Sequence, residues 1–347
     1  MSKSSFEFYK KAPPDGGASS FVYPPSEANI RFFAEALQNG CVVGLPTETV
    51  YGLAALALDE QACHSIFSIK GRPLMDPLIV HVADLEMARS LAIVPEDGRI
   101  LAEAFWPGPL TLVLKKRSIV PDLITAGKET VAIRMPRHPV AKKLLHQLNA
   151  PLAAPSANPF GYVSPTRPEH VTSAFGDKVP FVLDGGPCEV GLESTIVDLS
   201  KGKNPAILRP GAVTAEQISD HLRLPVQTKL LNLEETEAAT APGTMLRHYS
   251  PKTKMIAFEL GSIPKTAKNE AIAFLQRPGT LNPSREQATF WFSEDGDMEI
   301  VARTLFDLLR KLDAKGFERI FCELPPANAD GLVLAIRDRL SRAASIK

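Results

Sequence analysis

Apolar positions recur along this chain at two periods. Ile30, Phe33 and Leu37 repeat at helical spacing until Gly40 interrupts them, and CVVGL (41–45) then reads as a buried strand entering the turn phrase PTET. Asp59 is placed to cap a second helix that continues through Ile69 and closes at Gly71. Short apolar runs predict further strands at LIVHV (78–82), LTLVL (110–114), VAIRM (131–135), FVLD (181–184), STIVDL (194–199) and AILR (206–209). Helices are predicted between them at 84–92, 98–104, 139–148 and 168–175. Residues 22–222 therefore predict an α/β domain with a sizeable mixed, twisted sheet flanked by helices. The preceding residues 1–21 are polar, broken by Pro and Gly, and predict an irregular segment.

The pattern lapses over 223–254, where turn-forming and acidic residues follow no period, and this stretch reads as an interdomain linker. Beyond it, the strand-like runs MIAFEL (255–260), AIAFL (271–275), ATFWF (288–292) and RIFCEL (319–324) return. A helix over 298–315 with Met298, Val301, Leu305, Leu308 and Leu312 on one face separates the last two runs, and a final helix is predicted at 332–344. Residues 255–347 thus predict a smaller, mainly parallel sheet, Rossmann-like in the loose sense, although no GxGxxG follows any of its strands.

Charge and composition narrow the function classes. The 39 Lys+Arg cancel the 39 Asp+Glu, which weakens the case for a protein that coats nucleic acid by neutralising phosphates. No run approaches the ~18 apolar residues of a membrane span. Cys41, Cys63, Cys188 and Cys322 are scattered, without a CxxC pair, and the first twenty residues carry no signal-peptide core; a cytoplasmic location with reduced thiols is expected. HExxH, paired Cys/His ligands, GxxxxGK[ST] and GxSxG are all missing, so no metal centre, P-loop or serine elbow is expected.

What remains is a set of hydroxyls and cations at apparent strand ends, where open sheets carry ligands. PTETVYGL (46–53) places Thr47, Glu48, Thr49 and Tyr51 directly after a strand, either as functional groups or as caps of the next segment. Lys70 and Arg72 flank Gly71 at a helix end, where they would either complement the helix dipole or meet an anion. His81 lies in the next strand, and a lone strand histidine is also the ordinary pattern of a satisfied core residue. Arg134 sits inside an apolar strand and must meet a carboxylate, from protein or ligand. Ser156 and Asn158 in APSAN, Ser164, Ser194 and Thr195 in GLESTIVD, and Arg209 in LRPG complete the set. Hydroxyls, an amide and four cations suit phosphoryl chemistry, which needs positioning and charge stabilisation more than a protein nucleophile.

Together these phrases resemble the threonylcarbamoyl-AMP synthase family, with its YrdC-like catalytic domain, in the long form that adds a C-terminal domain. The signature pairs are Lys70-x-Arg72 and Ser156-x-Asn158, supported by PTETVYGL, WPGPLT, VAIRMP, GLESTIVD and LRPGAV over roughly 22–218. PGTMLRHYSP (242–251) resembles the linker phrase of the long form. The resemblance implies a YrdC-like fold and a nucleotidyltransferase that converts L-threonine, bicarbonate and ATP, with Mg²⁺, to threonylcarbamoyl-AMP and pyrophosphate. The product would pass to threonylcarbamoyl transferase proteins that modify tRNA; neither stable nucleic-acid binding nor a membrane is implied.

Carried over residue by residue, the resemblance makes Lys70, Arg72, Ser156 and Asn158 the catalytic set. Thr49, His81, Arg134 and Ser194 become threonine contacts, with Arg134 on the substrate carboxylate. Arg72, Asp76, Thr130, Ser156, Ser164, Arg209 and Tyr249 become ATP contacts. Tyr249 would make the linker a lid bent at Pro242 and Gly243, or else simply anchor the linker to the first domain. Two positions depart from the pattern: Asp76 stands where Asn is common, and a carboxylate there repels phosphate unless it meets a cation; Ala154 replaces a hydroxyl, leaving that contact to the backbone. Two other functions compete with this one, a non-catalytic RNA-binding module and a carbamoyl-transfer enzyme of the hydrogenase-maturation kind. The balanced charge disfavours the first, and the missing paired-Cys motifs and acylphosphatase-like region disfavour the second.

Overall fold

The computed structural model describes residues 3–16, 21–202, 204–229, 248–279, 288–328 and 330–344. Local signals explain the first elements. Helix α1 (Lys3–Phe8) is followed by strand β1 (Val22–Tyr23) and helix α2 (Glu27–Gln38), whose Ser26 side chain accepts from the Asn29 N–H and whose Ile30, Phe33 and Leu37 are buried. Strand β2 (Val43–Leu45) leads through the PTET turn to β3 (Gly52–Leu56). Helix α3 (Glu60–Lys70) is capped by the Asp59 carboxylate at the N–H groups of Gln61 and Ala62, and Gly71 ends it at φ 64°, the left-handed conformation that glycine adopts without strain.

The chain continues through β4 (Ile79–His81), α4 (Leu85–Leu91), β5 (Ala92–Ile93), α5 (Glu96–Phe105), β6 (Leu110–Lys116), α6 (Asp122–Thr125) and β7 (Thr130–Arg134). It then forms α7 (Pro139–Leu148), β8 (Leu152–Ala153), α8 (Pro168–Phe175), β9 (Val182–Leu183), β10 (Thr195–Asp198), β11 (Ala206–Arg209), α9 (Ala215–Leu222) and β12 (Gln227–Thr228). These strands make one mixed sheet in the order β1-β9-β2-β3-β8-β4-β7-β6-β10-β11-β12, with β5 added beside β6. One apolar cluster joins α3, α5 and α9 to the sheet, and a second packs α2 and α7 together over it.

A second sheet has the order β13 (Lys254–Glu259), β16 (Arg319–Leu324), β14 (Ala271–Gln276), β15 (Ala288–Ser293), and every pairing in it is parallel. Helix α10 (Met298–Ala314) buries Val301, Leu305, Leu309 and Leu312, and α11 (Gly331–Ala344) buries Ala335, Ile336 and Leu340, in a cluster shared with Ala271, Ala273, Ile320 and Cys322 of the sheet. The mixed α/β architecture with its parallel C-terminal sheet is the expected one. Helix α10 also faces the first domain: Tyr162 donates to Asp313 at 2.6 Å and Arg167 meets Asp307 at 3.2 Å.

Two expectations need correction. Residues 1–21 are not wholly irregular, because α1 seats Phe8 in the core 5.1 Å from Phe32, and the Tyr9 hydroxyl bonds the backbone of Val42. A six-residue helix is too short for its period to register in the sequence. Arg134 is the last residue of β7 rather than an interior one. The GLAAL run, which carries no β-branched residue, is strand β3, held by antiparallel pairing with β2 and β8. The Pro242 and Gly243 bend expected of the linker lies outside the described residues.

Candidate active site

Strands β4 and β7 run parallel and end together, with His81 registered beside Arg134. Antiparallel β6 starts at the same edge, where Thr111 registers with Arg134, and β10 begins beside it just after Ser194. Gly52 bridges Ser156 across β3, and a Cβ on Gly52 would come within 3.2 Å of the Ala154 Cβ, so glycine lets these two segments close up. Behind β10, a Cβ on Gly211 would approach the Thr195 amide to 2.6 Å, which explains a glycine in the Pro-Gly turn after Arg209. These strand ends frame one cavity, lined by Thr49, Arg72, His81, Arg134, Ser156, Ser194, Arg209 and Tyr249 among others.

Each cation in it is held. Arg72 donates to the carbonyls of Asp76 and Pro77 and pairs with the Asp76 carboxylate at 2.9 Å, both side chains buried. Asp76 therefore has the cation that its position demands; burial nevertheless raises its carboxyl above the usual range, against the pull of Arg72. Arg134 donates to Thr49 Oγ1 at 2.7 Å and to the Gly108 carbonyl, and meets Glu48 at 2.7 Å. Burial raises the Glu48 carboxyl, but Arg134 outweighs it and the net shift is downward. Arg209 grips Ser194 twice, at its carbonyl (3.0 Å) and its hydroxyl (3.1 Å), and that hydroxyl shares a 2.7 Å bond with Thr111.

Lys70 lies behind this wall, its ammonium bonded to the carbonyls of Ser156 and Asn158, so the two signature pairs are joined by a direct contact. Burial, followed by the neighbouring Arg72, holds Lys70 well below its usual range. His81 is pushed down to about 3 by burial and then by Arg134, so it is a neutral imidazole at pH 7. Burial is the first cause of both shifts and the neighbouring guanidinium adds to each, so an anion entering this desolvated, cation-lined space is favoured.

Not every expected residue reaches the cavity wall. Asn158 and Asp76 support Lys70 and Arg72 from behind, and Ser164 donates to Glu193 at 2.5 Å, one step outside. Thr130 starts β7, four residues from Arg134 at the opposite end of the strand, and does not line the cavity. Ala154 does line it, but its N–H is committed to the Ile79 carbonyl. Tyr249 is fully buried at φ 66°, stacked 5.4 Å from Phe306 of α10, and its hydroxyl has no partner among the described residues. Burial and then Glu193 raise its phenol to about 12.

The resemblance gives no substrate contact to three polar wall residues, Thr47, Glu193 and His248. Thr47 bonds Thr49 and the Val50 carbonyl, and Glu193 flanks Ser194. His248, beside Tyr249, is kept neutral by burial and then by Arg72 and Lys70. Its adjacency to Tyr249 in the HYS phrase is the available signal; nothing local distinguishes Glu193 from a solvated glutamate.

Comparison with known proteins adds independent findings. The sequence profile described as "Telomere recombination" matches residues 35–211, and one described as "Threonylcarbamoyl-AMP synthase, C-terminal domain" matches 213–345. A threonylcarbamoyl-AMP synthase of Pyrococcus abyssi is 40% identical, covering 92% of this chain and 95% of the relative. One of Bacillus subtilis is 38% identical, covering 90% and 91%. The crystal structure of P. abyssi Sua5 complexed with L-threonine superposes with a TM-score of 0.83 at 36% identity, covering 93% of this chain and 97% of that one.

Proposed function

The chain belongs to the threonylcarbamoyl-AMP synthase family, and from that membership we infer that its cavity joins L-threonine, bicarbonate and ATP into threonylcarbamoyl-AMP and pyrophosphate. The product is the activated donor for threonylcarbamoyladenosine in tRNA. The observation that carries this reading for the site is the convergence of Thr49, Arg72, His81, Arg134, Ser156, Ser194, Arg209 and Tyr249 on one wall.

The chemistry asks for no protein nucleophile. Bicarbonate and the threonine amine form a carbamate with loss of water; the carbamate oxygen then attacks the α-phosphorus, and the bond to the β-phosphate oxygen breaks to release pyrophosphate. Arg134 takes the threonine carboxylate with the N–H groups that Thr49, Gly108 and Glu48 leave over. Ser194 and Thr49 fix the rest of the amino acid, and neutral His81 can accept or donate a hydrogen bond without adding charge.

Arg72 and Arg209 face the phosphates from the cavity wall, with Lys70 behind them on the Ser156 and Asn158 carbonyls; an anion beside these desolvated cations offsets the cost of burying them, so ATP binding and site stability reinforce one another. Ser156 and Asn158 hold this group together through Lys70, and Ser164, Thr130 and Asp76 complete the ATP side as the family resemblance implies. Mg²⁺ arrives with ATP as part of the substrate; among the described residues no cluster of three acidic, His or Cys groups could hold a metal. Tyr249 covers the nucleotide and excludes water from a hydrolysable mixed anhydride. The enzyme works in the cytoplasm and hands its product to threonylcarbamoyl transferase proteins; among the described residues no helix is long and apolar enough to cross a membrane.

The test is pyrophosphate release from ATP. It requires threonine and bicarbonate together; ATP cleavage indifferent to threonine refutes the assignment.

A further inference from the structure

We propose that Arg339, on the last helix of the C-terminal domain, is a positioning residue of the nucleotide site: it holds Glu193 so that Glu193 fixes the hydroxyl of Ser164. The inference rests on the functional reading above and states what the second domain contributes to it.

Arg339 is fully buried, and its donors are divided among different partners. Nε meets Glu193 Oε2 at 2.9 Å, Nη2 donates to the Pro210 carbonyl at 2.9 Å, and Nη1 donates to Asp338 at 2.7 Å. The other Glu193 oxygen accepts from Ser164 Oγ at 2.5 Å. Ser164 is also held by its backbone, since Arg310 of α10 donates from Nε to its carbonyl at 3.2 Å and from Nη2 to the Val163 carbonyl at 2.5 Å. The residue expected to touch ATP is thus fixed at both ends by the second domain. Glu193 and Pro210 flank Ser194 and Arg209 in sequence, so one guanidinium also ties together the two loops that carry those groups. Its carbon lies 5.4 Å from the centre of the Tyr249 ring, which places the lid on the same fork.

Charge bookkeeping separates positioning from simple attraction. Arg342 pairs with Asp338 at 2.9 Å, so among the described residues Arg339, Arg342, Glu193 and Asp338 form a buried group in which two cations meet two anions. Such a group does little to attract a triphosphate. A guanidinium satisfied on three sides has a fixed orientation, and it passes that orientation to Glu193 and Ser164.

The experiment compares wild type, Arg339→Met, Ser164→Ala and the double variant in the full-length protein, by pyrophosphate release and by calorimetric titration with ATP. Each single variant is expected to raise the KM and Kd for ATP roughly tenfold or more, with the KM for threonine within about twofold of wild type. The double variant is expected to fall within about twofold of the worse single, because both act on one link. Losses that multiply in the double variant, or an Arg339→Met that shifts threonine as much as ATP, overturn the proposal. If Arg339→Met does not fold, Arg339→Lys carries the same comparison: it keeps the charge but not the fork, and is expected to retain the ATP-specific loss. Wild type that turns over no ATP with threonine and bicarbonate sinks the functional reading instead, and the ATP titrations still decide the link to Ser164.

Discussion

Glu48→Gln isolates what one buried pair does for the fold before any substrate arrives. Glu48 and Arg134 are 1% and 5% exposed at the side chain and 2.7 Å apart. At that distance their gross attraction is about 6 kcal/mol for an effective dielectric of ~20, of which a glutamine dipole retains only part. The substituted amide keeps the shape and strands Arg134 in an interior where, among the described residues, no other carboxylate pairs with it. A loss of about 3–5 kcal/mol is expected. Arg134→Met alone leaves Glu48 stranded and should cost a similar amount. The double variant Glu48→Gln/Arg134→Met removes both charges and should recover much of the loss, giving a coupling of roughly 2 kcal/mol or more. Urea unfolding of the four proteins measures this directly, at constant pH and without ligands. Additive single losses, or a Glu48→Gln protein within about 1 kcal/mol of wild type, would show that the pair is not the electrostatic anchor of this strand end.

Three further outcomes follow from the same geometry. Arg134→Met should weaken threonine binding at least roughly tenfold while leaving ATP binding within about twofold, checked by calorimetry; the reverse order reassigns the residue. Tyr249→Phe removes a buried hydroxyl with no partner among the described residues, so thermal stability should hold or rise by up to about 1 kcal/mol while the KM for ATP increases; a destabilised variant with unchanged KM contradicts the lid role. His81 titrates near 3 in the fold against 6.5 as its ordinary value, so the unfolded chain takes up a proton that the native one refuses. Its contribution to stability is therefore complete above about pH 6.5 and lost as pH falls toward 3, at about 1.4 kcal/mol per pH unit. His81→Gln should flatten that slope in urea titrations at several pH values.

Most of this architecture could be read from the chain because its signals are local. The Asp59 cap, the Gly71 stop and the apolar runs that became β4, β6, β7, β10 and β11 each declare themselves within a few residues. The cations were legible for a similar reason: Arg134 inside an apolar run demands a partner, Arg72 stands beside a glycine helix stop and Arg209 closes an apolar run, and all three prove to be partnered wall residues. What stayed hidden depends on distant contacts. Helix α1 is explained by contacts with Phe32, Phe181 and Val42, and Glu193 by Ser164 on one side and Arg339 on the other. Thr130 shows a related limit of local signals, since a place in the right strand does not say which end of it lines the cavity.

The order β9-β2-β3-β8-β4-β7-β6-β10 places few sequence neighbours side by side, and β10 closes against β6 across more than eighty residues. A chain emerging from the ribosome can thus build α2, α3 and the first hairpin early, yet has no wall opposite Arg134 until Ser194 and Arg209 have been made. Tyr249 comes later still. Because the long-range pairings are the slowest to form, the nascent polypeptide should be unable to retain nucleotide through the first half of its synthesis, and gain that ability only after Tyr249 has emerged.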